Sequence, residues 1–227
     1  MTGFASEDAP VRALKLGIDD YIFKPFEHDV FLHSVRRNLE HYRMEQLKSF
    51  ISPQVVDLIM SGQMSYDFSP RRAELTLLFS DLRGFTSLSD ELEPEELVRI
   101  LNEYLTEMTE IVFQHNGTID KYLGDGIMAF FGAPVANEKH PESTVRAALA
   151  MQVKLSELKE KWLGDAQREL GAGIGVSTGY VTVGSFGPEI RKDYTVIGKN
   201  VNMAARLSDI AEMGQVLVSP RTYEMWQ

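Results

Sequence analysis

Two acidic residues stand where a chain could hold a divalent cation. Asp125 lies between glycines in Leu123-Gly124-Asp125-Gly126, flanked by residues 118–122 and 127–131, which are apolar, β-branched or aromatic. Read as a hairpin, this presents one carboxylate at the tip of a tight turn, with glycine on both sides free to take positive φ. Asp81 follows the apolar run ELTLLF, residues 74–79, and leads through Leu82-Arg83-Gly84 towards a helix. A strand that ends in an acid and turns through glycine into a helix suits metal-phosphate binding. The carboxylate holds the cation, and free N–H groups of the turn face phosphate oxygens. Gly-Asp-Gly is also an ordinary surface turn, so the chemistry depends on the two acids meeting. If they converge, two carboxylates can share two divalent ions, an arrangement suited to in-line attack on a phosphoryl centre.

The elements that would position them are legible as periodicity. Leu97, Ile100, Leu101, Tyr104, Leu105, Met108 and Ile111 fall on one face of a helix. A second helix is predicted over residues 142–162, with Val145, Ala148, Leu149, Val153, Leu155 and Leu158 as its apolar positions. Residues 170–187, LGAGIGVSTGYVTVGSFG, invite comparison with a dinucleotide-binding glycine loop, but the third glycine is out of register and no helix opens after it. Small residues alternating with Ile174, Val176, Val181 and Val183 instead suggest two strands packed closely against a helix. Residues 193–197 and 215–218 read as further strands, and residues 221–227 begin a last helix. The order strand–helix–strand–strand–helix–strands–helix–strand implies an α+β, ferredoxin-like palm, with helices covering one face of a mainly antiparallel sheet. In such a palm the first strand and the central hairpin lie side by side.

Composition bounds the function. A net charge of −10 over 227 residues argues against a general nucleic-acid binder. Cysteine is absent, which excludes disulfides and thiolate metal sites. No apolar run approaches the ~20 residues needed to cross a bilayer, and the N-terminus lacks a signal-peptide pattern. A cytoplasmic protein without membrane insertion is the expectation. The five histidines, His28, His33, His41, His115 and His140, are scattered without metal-ligand spacing and are assigned no chemistry.

Residues 1–46 form a smaller piece. Ser6, Glu7 and Asp8 open a helix that Gly17 stops, residues 20–23 read as a strand before Lys24-Pro25, and Val30, Phe31, Val35, Leu39 and Tyr42 fall at helical spacing. This helix–Gly–Asp-Tyr-strand–Lys-Pro-Phe order resembles the second half of a response-regulator receiver domain. The resemblance implies that Lys24 matches the lysine contacting a phosphorylated aspartate, and Thr2 the switch hydroxyl. The acceptor half is absent, so phosphorelay control by this polypeptide is not expected. Residues 47–72 read as linker helices, one opened by Ser52-Pro53 over residues 53–60, and as a polar stretch over residues 63–72.

From Ala73 onwards three segments appear in order: Phe79-Ser80-Asp81-Leu82-Arg83-Gly84-Phe85-Thr86, Asp120-Lys121-Tyr122-Leu123-Gly124-Asp125 and Val201-Asn202-Met203-Ala204-Ala205-Arg206. Together they resemble the class III nucleotidyl cyclase catalytic domain. The resemblance implies that Asp81, Asp125 and the Leu82 carbonyl hold two Mg²⁺ or Mn²⁺ ions, and that Gly84, Phe85 and Thr86 lie against the terminal phosphates. It implies that Asn202 orients the ribose and Arg206 stabilises charge on the α-phosphate; spaced i,i+4, they share a helix face. Lys121 and Thr195 match the positions that read the base. An ammonium donates and cannot accept, which favours adenine N1 over guanine N1–H; the Thr195 hydroxyl can accept from the adenine amino group but can also donate. In the family each site lies between two subunits, so a chain carrying both sets is expected to form a homodimer. The implied reaction is ATP to 3′,5′-cyclic AMP and pyrophosphate, with a guanylyl cyclase or a catalytically silent dimerising module as alternatives. The family domain usually continues beyond Gln227, and both chain ends look cut.

Overall fold

The computed structural model describes residue 20 and residues 22–47, 56, 69–163, 169–188 and 193–227. Thr2, the helix expected from Ser6, Tyr21, the helix of residues 53–60 apart from buried, helical Val56, and residues 63–68 of the expected linker lie outside the described residues. The chain divides into two compact units, Met1–Ser49 and Phe50–Gln227. Among the described residues no helix is long and apolar enough to cross a membrane.

In the first unit, Phe23 makes an isolated β-bridge and α1 spans His28–Leu47. Among its described side chains the buried one is Ser34, whose hydroxyl donates to Asp20, and Arg37 donates to the same carboxylate at 2.7 Å. Val30, Val35 and Leu39 of the expected apolar face are exposed, while Phe31 stacks on Phe26 with ring centroids 5.8 Å apart. Among the described side chains, the bonds from Ser34 and Arg37 to Asp20 and the Phe26–Phe31 stack tie α1 to the preceding segment.

The second unit runs β1 (Arg71–Arg83), α2 (Phe85–Glu91), α3 (Pro94–Gln114), β2 (Gly117–Leu123), β3 (Gly126–Phe131), α4 (His140–Leu163), β4 (Gly171–Phe186), β5 (Asp193–Ile197), α5 (Lys199–Ile210), β6 (Val216–Val218) and α6 (Pro220–Trp226). The six-stranded sheet has the order β2-β3-β1-β4-β5, with β6 added parallel to β4 and the other pairs antiparallel.

Residues 170–187 were expected to make two strands, and this is corrected. Gly171–Phe186 is one strand of 16 residues, paired with β1 from Arg71↔Val183 to Arg83↔Gly171. The same pairing draws Arg71 and Arg72, expected in the linker, into β1, and Arg72 lies 4.8 Å over the Tyr180 ring. It also carries Asp81 inside the strand rather than beyond it. Glycine normally weakens a strand interior. In β4 it is required by the helix above: a Cβ on Gly175 would stand 2.2 Å from the Ala204 carbonyl oxygen and the Ser208 nitrogen, and one on Gly179 2.3 Å from Asn200 Nδ2.

The helices cover both faces of the sheet, not one. Strand residues alternate between faces. Leu78, Leu82, Ile119, Ile127, Ala129, Phe131, Ile174 and Val176 pack with Tyr104 and Met108 of α3 and Ala147, Met151 and Leu155 of α4. Leu75, Leu77, Met128, Phe130, Val181 and Val183 form the opposite cluster with Ala204 of α5. On α4 the expected positions Leu149 and Val153 are 49% and 63% exposed. The expected Val145, Ala148, Leu155 and Leu158 are buried, and Ala147 and Met151 complete the buried stripe in place of Leu149 and Val153; the small residues at 147–148 suit close packing on the sheet.

One buried polar chain joins four elements. His140 Nδ1 lies 2.7 Å from Thr76 Oγ1, which is 2.8 Å from Thr178 Oγ1; that hydroxyl is 2.9 Å from Thr222 Oγ1. The Ser219 hydroxyl, 3.0 Å further on, caps α6 by accepting from the Thr222 N–H. Burial pushes the His140 imidazole below its ordinary 6.5, partly opposed by the charge of Glu74. The folded chain therefore takes up this proton later than the unfolded chain as pH falls. The stability that the neutral imidazole confers is complete above about 6.5 and is lost as pH drops through the lower folded-state value. We expect the thermal midpoint to fall between about pH 7.5 and pH 5.5, with that part of the profile flattened in His140→Asn. An equal slope in wild type and variant would exclude His140 as its source.

Candidate active site

The sheet pairing sets two acids beside each other. β1 and β3 pair as far as Ser80↔Ile127, and β2 and β3 close at Leu123↔Gly126, so the two-residue tip Gly124-Asp125 projects next to Asp81. The flanking glycines serve different ends. Gly124 takes φ 69° with open space around it, as a turn residue does. Gly126 takes no positive φ; a Cβ there would lie 3.2 Å from the Ser80 carbonyl oxygen and 3.4 Å from Asp81 Oδ1. It is the residue that lets the hairpin approach the acid.

The electrostatics record the proximity. Burial raises the Asp125 carboxyl above its ordinary value, and the charge of Asp81 adds to the rise; a backbone N–H bond and the Arg83 guanidinium oppose it. Beneath both, fully buried Tyr104 has its hydroxyl 3.3 Å from Ser80 Oγ. Burial pushes that phenol upward and the charges of Asp125 and Asp81 add to the shift. Arg83 pairs with Asp81 while its guanidinium also donates to the carbonyls of Asp209 at 3.2 Å and Ala211 at 3.4 Å, at the C-terminal end of α5. That helix end favours a cation.

These residues fit a divalent cation. Two carboxylates and the carbonyl of Leu82, consecutive with Asp81, are the all-oxygen donors that hard cations take. Like charges are brought together, and the Arg83 guanidinium pairs with one of them and supplies counter-charge to both. Among the described residues no group of three or more acidic or histidine side chains gathers, so the site rests on this pair. Gly84 caps α2 with φ 83°, without a side-chain cap, and a Cβ on it would stand 2.0 Å from the Glu169 carbonyl oxygen. Phe85 packs into the α3–α4 core, and Thr86 is exposed.

A second cluster forms where the two edge strands meet. The span of β4 between Gly173, which pairs with Asp81, and Gly184, which pairs with Thr195, is roughly 35 Å if straight, while β2 from Asp120 to the tip is roughly 15 Å. The sheet coils enough for β2 and β5 to touch. There the Thr195 hydroxyl donates to Asp120 Oδ2 at 2.6 Å, and Lys121 Nζ lies 3.0 Å from Asp120 Oδ1. Asp120 was missed as a site residue. The signal was a charged residue at an inward position of an apolar strand. Asn202 and Arg206 project from the exposed side of α5, opposite buried Ala204 and Ser208, and bond to no described residue. One chain thus gathers Asp81, Leu82 and Asp125, and separately Lys121 and Thr195, but joins Asn202 and Arg206 to neither.

Residues 68–227 match the family described as the adenylate and guanylate cyclase catalytic domain. The chain belongs to that family. It is 37% identical over 154 residues to adenylate cyclase 1 of Rhizobium meliloti, covering 66% of this chain and 23% of that protein. The adenylyl cyclase CyaB from P. aeruginosa superposes with a TM-score of 0.67 at 43% identity, covering 69% of this chain and 82% of that one. The guanylyl cyclase Cya2 superposes with a TM-score of 0.65 at 40% identity, covering 72% and 81%. The chain spans about a quarter to a third of the length of the curated relatives it matches.

The acid pair of this cyclase domain can be tested without turnover. In Asp81→Asn the Asp125 carboxyl should titrate lower than in wild type, because a neighbouring charge is removed. It should stay above its ordinary value, because burial, the larger cause, remains. Carbon-detected NMR titration of Asp125 reads this; an unmoved or raised midpoint would mean that the two acids do not feel one another.

Proposed function

We propose that the chain is the catalytic part of an adenylyl cyclase that converts ATP to 3′,5′-cyclic AMP and pyrophosphate as a homodimer. The observation that carries this is the juxtaposition of Asp81 and Asp125 at the end of the sheet. In the reaction the ribose 3′-oxygen bonds to the α-phosphorus, loses its proton, and the bond to the bridging oxygen of pyrophosphate breaks. Asp81, Asp125 and the Leu82 carbonyl would hold two Mg²⁺ or Mn²⁺ ions, which activate the hydroxyl and neutralise the triphosphate. Gly84, Phe85 and Thr86 would approach the terminal phosphates, with the Phe85 ring anchoring the turn in the core. Arg206 would meet charge developing on the α-phosphate through paired N–H donors, and Asn202 would orient the ribose. Lys121 and Thr195 would read the adenine edge.

Homodimerisation is supported by the placement of Asn202 and Arg206 on an exposed face with Met203, and by exposed Leu123 and Ile197. Asp81 and Asp125 of one subunit would then work with Lys121, Thr195, Asn202 and Arg206 of the other. Residues 1–46 we assign as part of a receiver-like domain, and residues 47–72 as the linker into the catalytic domain, its last two residues lying in β1.

Purified chain with Mn²⁺ should form cyclic product from ATP faster than from GTP. Asp125→Asn and Arg206→Ala should each reduce turnover by about a hundredfold or more. Mixed in equal amounts, the two variants should recover about a quarter of the wild-type rate per chain, since half the dimers carry one intact site. Absence of cyclic product from either nucleotide would overturn the enzyme assignment, and failed complementation the shared site.

A further inference from the structure

We propose that Asp120 sets nucleobase choice by fixing the hydrogen-bonding polarity of the two groups that face the base. The inference deepens the adenylyl cyclase assignment and rests on it. A threonine hydroxyl has one proton and two lone pairs, so on its own it can accept from the adenine amino group or donate to guanine O6. In this chain the proton is committed. Thr195 donates to Asp120 at 2.6 Å, within the range of a charge-assisted O–H···O⁻ bond. What remains on the Thr195 oxygen is acceptor capacity, which matches the adenine amino group and opposes guanine O6.

The other carboxylate oxygen holds Lys121. Consecutive residues of a regular strand point to opposite faces, which would separate the two side chains. The β2–β3 ladder shifts register between Ile119 and Lys121, with Asp120 as the extra residue. Such a bulge re-aims side chains, and here it lets Asp120 reach its own neighbour at 3.0 Å. The Asp120 side chain is 1% exposed and that of Lys121 44% exposed, so the carboxylate is sequestered while the ammonium keeps free protons directed outward. A buried charge must be paired, and the two partners that satisfy Asp120 are the two base readers. One side chain thereby makes Lys121 a held donor and Thr195 a held acceptor.

Asp120 is a positioning residue, so its test must separate polarity from folding. In Asp120→Asn the amide can donate to Thr195, which returns to that hydroxyl its freedom to donate, and Lys121 loses its anion. The ATP-to-GTP ratio of kcat/KM should fall tenfold or more, mainly through KM. Equal losses for both nucleotides, with the ratio preserved, would show a structural role only and overturn the proposal. The same ratio is read without turnover from the Kd values of 3′-deoxy-ATP and 3′-deoxy-GTP with Mn²⁺, which lack the attacking hydroxyl. If wild type makes no cyclic product yet prefers the adenine analogue, and Asp120→Asn erases that preference, the enzyme assignment falls and Asp120 stands. If wild type turns over ATP and the variant keeps its ratio, Asp120 falls and the enzyme stands. If wild type binds neither analogue, both fall. Should thermal melts show Asp120→Asn unfolded, Thr195→Val carries the test: loss of adenine preference supports the held acceptor, and an unchanged ratio overturns it.

Discussion

Two like-charged carboxylates held side by side are the constraint on which the candidate site depends. Local forces favour the arrangement only in part: burial and the charge of Asp81 drive Asp125 towards its protonated form, and a backbone N–H bond and the Arg83 guanidinium oppose them without cancelling the rise. Backbone pairing holds them. Each residue of β1 from Arg71 to Arg83 is matched on β4, and the inner residues are matched again on β3. Hydrogen bonds and core contacts distant from the acids therefore fix the strand end, and the register of one hairpin fixes the tip. Arg83 relieves part of the repulsion from outside the pair and is itself held by carbonyls where α5 ends. A locally unfavourable site is carried by a fold that is consistent elsewhere, the pattern expected of functional positions.

The same long pairing explains the packing of α5. A helix that approaches β4 over Gly173, Gly175 and Gly179 leaves no volume for a Cβ. This close contact belongs to the face that carries Leu75 and Leu77, where Asp81 and Arg83 also project. The helix bearing Asn202 and Arg206 is thus seated against the strand that bears Asp81, and the Arg83 guanidinium closes the junction.

Much of this was legible in the sequence, for physical reasons. Periodicity placed α3, whose buried Ile100, Tyr104, Met108 and Ile111 lie on the expected face. The Gly-Asp-Gly turn and the apolar runs beside it placed the hairpin and its acid. Illegible features were those decided by partners distant in sequence. β4 looks broken because glycine signals a breaker in isolation, whereas its glycines answer to a helix some 30 residues later. Leu149 and Val153 looked like core because large apolar residues dominate a periodicity count, while the fold chose the stripe through Ala147 and Met151. Asp120 was hidden because strand alternation sends it away from Lys121, and the bulge that reverses this leaves no mark in composition.

Base selection shows why residue identity alone is an incomplete description of a site. The chain resembles an adenylyl and a guanylyl cyclase structure at 43% and 40% identity, a difference too small to choose between purines. Adenine and guanine differ at this edge by an exchange of donors and acceptors, so discrimination depends on groups that cannot reverse their role. Lysine meets that condition by its chemistry, having no lone pair when charged. Threonine does not, and its identity leaves its polarity open in both directions. Only the atom that takes its proton closes the choice, and here that atom is Oδ2 of buried Asp120, whose other carboxylate oxygen lies 3.0 Å from Lys121 Nζ.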